Sequence, residues 1–280
     1  MVKIIDGKKI SQEIIEKLKS FPIPEKIFAA ILVGDNPQSE SFLKQKEKIA
    51  KELGIDFRLY KFSSDLKNDD LRKEVGKVAL LKRIGGVIVQ LPLPENINKH
   101  YVLNVVPREK DVDVLGERAL GAFYTGRNLV LPPAVGVVEE ILKDLKFKIC
   151  DLRIAIVGAG FLIGKPIALW LMNKAKELKI FEKGSDLLDL KNYNLIISGV
   201  GQNNLIKPEM LKQNAGVIDF GYSINKNGKI SGDFDSSLLV VNYESLIYTP
   251  TPGGTGPILV AKIFENFYNL NPSPFKDRKI

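Results

Sequence analysis

The chain has 280 residues, 45% apolar and 26% charged, with 41 basic against 33 acidic side chains and a formal net charge of +8. That is the balance of a soluble globular protein with room for two hydrophobic cores. With Cys150 and His100 the single residues of their types, a zinc centre or a Cys–His nucleophile pair is excluded, and no apolar run is long enough for a membrane span.

One cysteine leaves no internal disulfide, and the opening MVKIIDGKKI lacks the apolar core of a signal peptide, so a cytoplasmic protein is expected. The lysines are scattered and not blocked with aromatics. The positive charge therefore implies steering of anionic small molecules, with neither nucleic acid nor membrane expected as a partner.

In chain order, a helix-periodic run over Ile10–Lys19 precedes an apolar strand, Ile27–Val33. A helix over Glu40–Leu53, a strand at Phe57–Tyr60 and a helix over Asn68–Lys82 follow. The strand Gly86–Gln90 runs into Leu91-Pro92-Leu93-Pro94, whose prolines stop it. Residues 111–133 hold few strand signals and read as a crossing between domains. Beyond them come a helix over Val135–Leu145, a strand at Arg153–Val157, a glycine turn and a helix over Ile167–Met172. Strands at Leu178–Phe181, Leu195–Ser198 and Gly216–Phe220 follow, then a strand-like run Ser245–Tyr248 and a helix over Ile258–Leu270. The tail Asn271–Ile280 reads as a frayed end.

Strands alternating with helices predict an α/β fold with parallel sheets. The expected architecture is two-lobed, an N-terminal α/β domain plus a Rossmann-like dinucleotide-binding domain. The first is expected over residues 1–118, completed by the C-terminal helix within 256–280, and the second over 119–255.

The glycine turn carries the clearest cofactor signal. Gly158-Ala159-Gly160 and Gly164 lie between an apolar strand and a helix. Gly158 allows the tight turn, Gly160 lets a pyrophosphate approach the backbone, and Gly164 permits close helix packing. The spacing is GxGxxxG where GxGxxG is usual. The next strand ends at Glu182, 24 residues after Gly158, where a carboxylate can take the ribose hydroxyls of NAD. Lys183 follows and could instead attract the 2′-phosphate of NADP.

TPTPGGTGP, Thr249 to Pro257, packs three prolines and three glycines into nine residues at a strand-to-helix junction. A stiff loop of bare backbone suits the holding of a flat ligand. In the first domain, Phe42 and Lys46 are four apart and share a helix face. Lys44, Lys46, Lys48 and Lys51 by themselves read as a solvated face. Gln90 sits at a strand's carboxyl end, where ligands of α/β sheets bind. In Lys110-Asp111-Val112-Asp113 two carboxylates stand two residues apart.

IIDGKKI, VGDNPQSESFLKQK, VIVQLPLP, PREKDVD, the glycine loop, VIDFG and TPTPGGTGP occur in one order over nearly the whole chain. Together they resemble the bifunctional methylenetetrahydrofolate dehydrogenase/cyclohydrolase family. Shikimate-type dehydrogenases share the expected architecture but not the VQLPLP and PGG-GP strings. The resemblance implies two lobes with a cleft, a homodimer, and oxidation of 5,10-methylenetetrahydrofolate with NADP or NAD. Hydrolysis of the methenyl product to 10-formyltetrahydrofolate is implied as well. It implies Lys46 as catalytic lysine, Gln90 as its partner and Asp113 as the carboxylate that grips the pterin. Phe42, Val89, Leu91 and the loop Pro252, Gly253, Gly254, Thr255 and Gly256 are implied on the folate side. Gly158, Ala159, Gly160, Gly164, Glu182, Lys183 and Tyr222 are implied on the cofactor side, and no metal is.

The chain departs from the family pattern in places. Phe42 stands where tyrosine is usual, so a hydroxyl beside Lys46 is missing. Val114 replaces the glycine that follows Asp113, and Leu131-Pro132-Pro133-Ala134-Val135-Gly136 replaces a PCTP-x-G pattern. Gly160 replaces a serine, and Ala159 offers no cation for a 2′-phosphate, which with Glu182 leans toward NAD. A dehydrogenase with a weak cyclohydrolase, a related pterin carrier as substrate, or a non-catalytic binding or regulatory protein are the alternatives.

Overall fold

Residues 2–224, 228–239 and 246–272 are described by the structure, a computed structural model. The chain opens with strand β1 (Lys3–Ile4) and helix α1 (Gly7–Lys19). Then come β2 (Ile27–Val33), α2 (Pro37–Glu52), β3 (Phe57–Phe62), α3 (Asn68–Leu80) and β4 (Ile84–Val89). Short helices α4 (Lys99–Leu103) and α5 (Glu117–Tyr124) precede α6 (Pro133–Asp144). The next elements are β5 (Arg153–Val157), α7 (Gly164–Leu171), β6 (Glu177–Phe181), β7 (Leu195–Ser198) and β8 (Gly216–Asp219). Strands β9 (Ser223–Ile224), β10 (Ile230–Ser231) and β11 (Ile247–Tyr248) lead to α8 (Thr255–Leu270).

Two units form, one of residues 1–12 and 134–259, the other of residues 13–133 and 260–280. The sequence pointed to a division at 118/119, with residues 1–118 together. The boundary falls instead at 133/134, because α5 lies in the segment read as a crossing. Residues 1–12 belong with the other unit because β1 pairs in parallel with β11, Lys3 opposite Ile247. The helix expected over Ile258–Leu270 starts three residues earlier, at Thr255, and ends at Leu270 as expected. Residues 273–280 and Ser245 lie outside the described residues, so the expected tail and the start of the run at 245 are not characterised further.

The unit of residues 13–133 and 260–280 is built on a parallel sheet of order β3-β2-β4. Strand β2, IFAAILV, is buried at every residue, as a central parallel strand covered on both faces must be. Phe28 of β2 stacks on Phe267 of α8 at 5.0 Å and meets Phe264 and Phe57 edge-on at 5.3 and 5.5 Å. The apolar face of α8 thereby closes this core, and removal of a ring this buried costs about 3–5 kcal/mol. Gly86 of β4 permits the approach, since a Cβ there would lie 2.6 Å from Phe267 and 2.9 Å from Val112.

The other unit carries a parallel six-stranded sheet of order β1-β11-β8-β7-β5-β6. Strand β5 pairs with β6 on one side and β7 on the other, so the chain reverses its direction of progress across the sheet at β5. A crevice opens beyond the strand ends at such a point. Its core gathers Val157, Phe181, Leu190, Ile196, Val217 and Tyr248. Among the described residues, no helix is long and apolar enough to cross a membrane.

Candidate active site

Helix α2 starts at a firm cap, with Asn36 accepting from the Ser39 amide at 3.0 Å and Pro37 in the first turn. Its buried residues are Ser39, Leu43, Lys46 and Ala50, an inward face at helical spacing. Lys46 thus points inward and is 6% exposed, whereas Lys44, Lys48 and Lys51 are exposed. The solvated-face reading holds for those three lysines and fails for Lys46. Phe42, one turn earlier, is half-buried.

Strand β4 brings Gln90 to meet it. The Gln90 amide donates to Ile31 O at 2.9 Å, continuing the ladder one residue past Val89. Lys46 Nζ donates to Gln90 Oε1 at 2.9 Å, and Gln90 Nε2 donates to Leu91 O at 2.7 Å. Val89 is buried and Leu91 half-buried on either side. Burial pushes the Lys46 amine below the usual lysine range, and the charge of Asp113 pulls it partly back. Burial pushes the Asp113 carboxyl up to about 7, with Lys46 lowering and Asp111 raising it. A buried amine pushed down and a half-buried carboxyl pushed up to about 7 therefore share one site, a combination suited to general acid–base work.

Asp113 is held by its own turn. The Asp111 carboxylate accepts from Leu115 N at 3.0 Å and Gly116 N at 2.8 Å. Burial raises that carboxyl to about 6 against the pull of these amides. Val114 takes a φ of 57° inside the turn, a region that suits glycine and is costly for a β-branched residue. Sequence reasoning noted Asp111 as one of two carboxylates without giving it a role, and passed over Asn266 and the buried Ser39 hydroxyl, which lacks a hydrogen-bond partner. Ser39 stands seven residues before Lys46 on the inward face, a spacing that could have flagged it.

In the other unit, Gly158 has φ +87° and its N–H donates to Phe181 O at 2.8 Å. This bond sets Glu182, which follows Phe181 and is exposed, beside the glycine turn, with Lys183 exposed next to it. A Cβ at Gly164 would lie 1.9 Å from Gly158 O, so α7 packs against the turn as only glycine allows. A Cβ at Gly160 would meet only Gly199 O at 3.8 Å. The protein itself therefore leaves room there, which is what an approaching pyrophosphate needs. No side chain caps α7 at Ile163; the Lys165 amide donates to Gly160 O at 3.0 Å and Pro166 carries no N–H, so the backbone of the glycine turn itself closes the start of the helix. Across the crevice lie Gly199, Val200 and Gly201, which the sequence reading did not single out; Val200 sits against Gly158. Ala159 lies in the turn, and Tyr222 is 36% exposed beyond β8. The donor set fits a dinucleotide.

The loop Pro252–Gly256 is in this same unit. Gly253 has φ +103°, and a Cβ at Gly254 would lie 2.6 Å from Pro250 O. Gly7 presses on it so closely that a Cβ there would lie 1.7 Å from Gly254 O. Thr255 Oγ1 donates to Asp219 O at 2.9 Å. Gly256 has open space where a side chain would be. Lys46, Gln90 and Asp113 are thus brought together in one unit, and the cofactor residues and the proline–glycine loop in the other. Among the described residues no cluster of side chains is arranged to hold a metal ion.

Residues 5–113 match the family described as tetrahydrofolate dehydrogenase/cyclohydrolase, catalytic domain, and residues 132–273 its NAD(P)-binding domain. The chain belongs to the tetrahydrofolate dehydrogenase/cyclohydrolase family. It is 32% identical over 274 residues to the bifunctional protein FolD of Mycoplasma mobile, covering 95% of this chain and 96% of that protein. The crystal structure of the bifunctional methylenetetrahydrofolate dehydrogenase/cyclohydrolase from Campylobacter jejuni superposes with a TM-score of 0.89 at 30% identity, covering 97% of this chain and 99% of that one. The corresponding enzyme from Thermoplasma acidophilum gives 0.87 at 26% identity over 96% and 98%.

Proposed function

We propose that the protein oxidises 5,10-methylenetetrahydrofolate to the methenyl form with a nicotinamide dinucleotide and hydrolyses the methenyl form to 10-formyltetrahydrofolate. The observation that carries this reading is the buried Lys46–Gln90 hydrogen bond, at 2.9 Å, within reach of the Asp113 charge.

The dinucleotide, held by Gly158, Ala159, Gly160 and the start of α7, supplies hydride acceptance when bound. The folate nitrogen drives hydride departure, so the protein's task in this step is to orient the substrate and exclude water. Hydrolysis requires water to add to an electrophilic carbon and a proton to be carried away and returned. Lys46, its amine pushed below the usual lysine range by burial, takes and returns that proton, and Gln90 holds its Nζ in one direction. Asp113 accepts hydrogen bonds from the pterin's amino and ring N–H groups. Phe42 and the backbone of Pro252, Gly253, Gly254, Thr255 and Gly256 are assigned to folate binding. Glu182 and Ala159 favour NAD over NADP, because a carboxylate repels a 2′-phosphate and no cation replaces it in the turn. The working form is a homodimer.

The test is an anaerobic assay with 5,10-methylenetetrahydrofolate and each dinucleotide, following reduced-cofactor and methenyl absorbance together. Reduced cofactor must form, and methenyl must then decay faster than its uncatalysed rate. Absence of turnover with both dinucleotides overturns the reading.

A further inference from the structure

We propose that Asn266 of α8 is a positioning residue for Asp113, holding the peptide plane from which that carboxylate projects. The proposal rests on the reading of Asp113 as a substrate-binding carboxylate.

Asn266 is 5% exposed and spends both hydrogens of its amide on carbonyls of other segments. Nδ2 donates to Val112 O at 2.8 Å and to Leu131 O at 2.8 Å. The carbonyl of Val112 and the N–H of Asp113 belong to one rigid peptide group. Asn266 holds the carbonyl end of that group, and the Asp111 carboxylate, fixed by the Leu115 and Gly116 amides, lies in the same turn. With Val114 in the left-handed region at φ 57°, the residue after Asp113 gives the turn no slack. Fixing the plane therefore fixes where the Asp113 side chain starts.

The same helix is registered on β4. Phe267 lies over Gly86, leaving no room for a Cβ, and Asn271 Nδ2 donates to Gly85 O at 3.1 Å. Strand β4 ends at Val89, directly before Gln90. Through α8, then, one rigid frame sets both the partner of Lys46 and the base of Asp113. An apolar residue at 266 would leave two buried carbonyls unpaired, which accounts for a polar side chain. It does not account for one whose bond falls on the peptide that opens Asp113.

The experiment is steady-state kinetics in both substrates on Asn266→Ala, Asn266→Ser, Asp113→Asn and the Asp113→Asn/Asn266→Ala double variant, each checked for cooperative unfolding. Asn266→Ser keeps one donor and serves if the alanine variant does not fold; its double with Asp113→Asn then completes the cycle. Loss of a bond worth about 1.4 kcal/mol predicts a roughly tenfold rise in KM for methylenetetrahydrofolate. We expect kcat to change by less than about threefold and the dinucleotide KM to stay at the wild-type value. In the Asp113→Asn background the substitution at 266 is expected to add little, because the group it positions is already disabled. Equal rises in both KM values, full additivity in the cycle, or a wild-type folate KM in the single variants would each overturn the proposal. A wild-type folate KM in Asp113→Asn alone overturns the underlying reading of Asp113, an outcome visible separately from those.

Discussion

Lys46 Nζ donates its 2.9 Å hydrogen bond to a glutamine that is itself turned by its bond to Leu91 O at 2.7 Å. The partner is neutral, so nothing in that contact restores the charge that burial disfavours. Replacing Gln90 by Glu adds a carboxylate beside the amine and raises the Lys46 pKa. The pH profile of methenyl hydrolysis in Gln90→Glu should shift upward accordingly, with a lower rate at pH 7.

Removing the amine altogether separates the two reactions. Lys46→Ala should lower methenyl hydrolysis by about 10²–10⁴-fold, the range of a lost acid–base group, and lower hydride transfer by much less. Parallel assays on the same preparation check this, and residual hydrolysis equal to wild type would sink the assigned role.

Asp113 links pH to both binding and stability. Its folded pKa of about 7 is raised above the ordinary value of 3.8, so the fold favours the neutral form. Its stabilising contribution is therefore full below about pH 4 and is lost as pH rises through about 7. Asp111, raised to about 6, and Asp219, also raised to about 6, act in the same direction. Asp113→Asn should raise Tm at pH 8 by a few degrees and change it little at about pH 3.5. The folate KM should rise as pH falls below about 7 in the wild type, since protonation removes the charge and turns one acceptor oxygen facing the pterin into a donor, and be flat in Asp113→Asn. Calorimetry and KM-versus-pH curves read the two effects independently.

Glu182 stands one residue past Phe181, whose carbonyl takes the Gly158 N–H at 2.8 Å. Glu182→Ala should weaken NAD by about tenfold, the loss of charge-assisted hydrogen bonds to a ribose, and leave NADP unchanged or improved. Isothermal titration with both dinucleotides decides it; unchanged NAD affinity makes Glu182 a surface carboxylate.

Val114 and Val112 are both 0% exposed, yet only Val114 has positive φ, at 57°. Val112→Gly should cost about 3 kcal/mol or more, from lost burial, a cavity and added chain entropy. Val114→Gly loses a similar side chain but regains about 1–2 kcal/mol of left-handed strain. Urea denaturation should therefore find Val114→Gly at least about 1 kcal/mol the milder. Equal costs would mean the turn is not strained.

Much of the fold was legible along the chain, because short unbroken apolar runs such as Ile27–Val33 and Ile154–Val157, bounded by turn residues, suit strands buried on both faces. The Gly158–Gly164 turn was legible for a similar reason: a strand, a glycine turn and a helix leave few alternatives. Strand β1 was not, since two residues carry no periodicity and its pairing with β11 spans the chain. Neither was α5, which lies in a stretch of mixed composition. The departure of residues 1–12 from the unit of Lys46 follows from that unseen pairing.

At the level of chemistry, sequence alone determined residue types and family: a lysine on a helix, a glutamine after a strand, a carboxylate pair and a glycine turn, in a fixed order. Only the tertiary structure decided which of four lysines on α2 is buried, what Gln90 bonds to, and that Asn266 reaches Val112 across 154 positions of chain. The reason is physical. Helix and strand signals are local, written within a few residues, whereas burial, hydrogen-bond partners and the pKa shifts they cause are set by what long-range packing brings alongside.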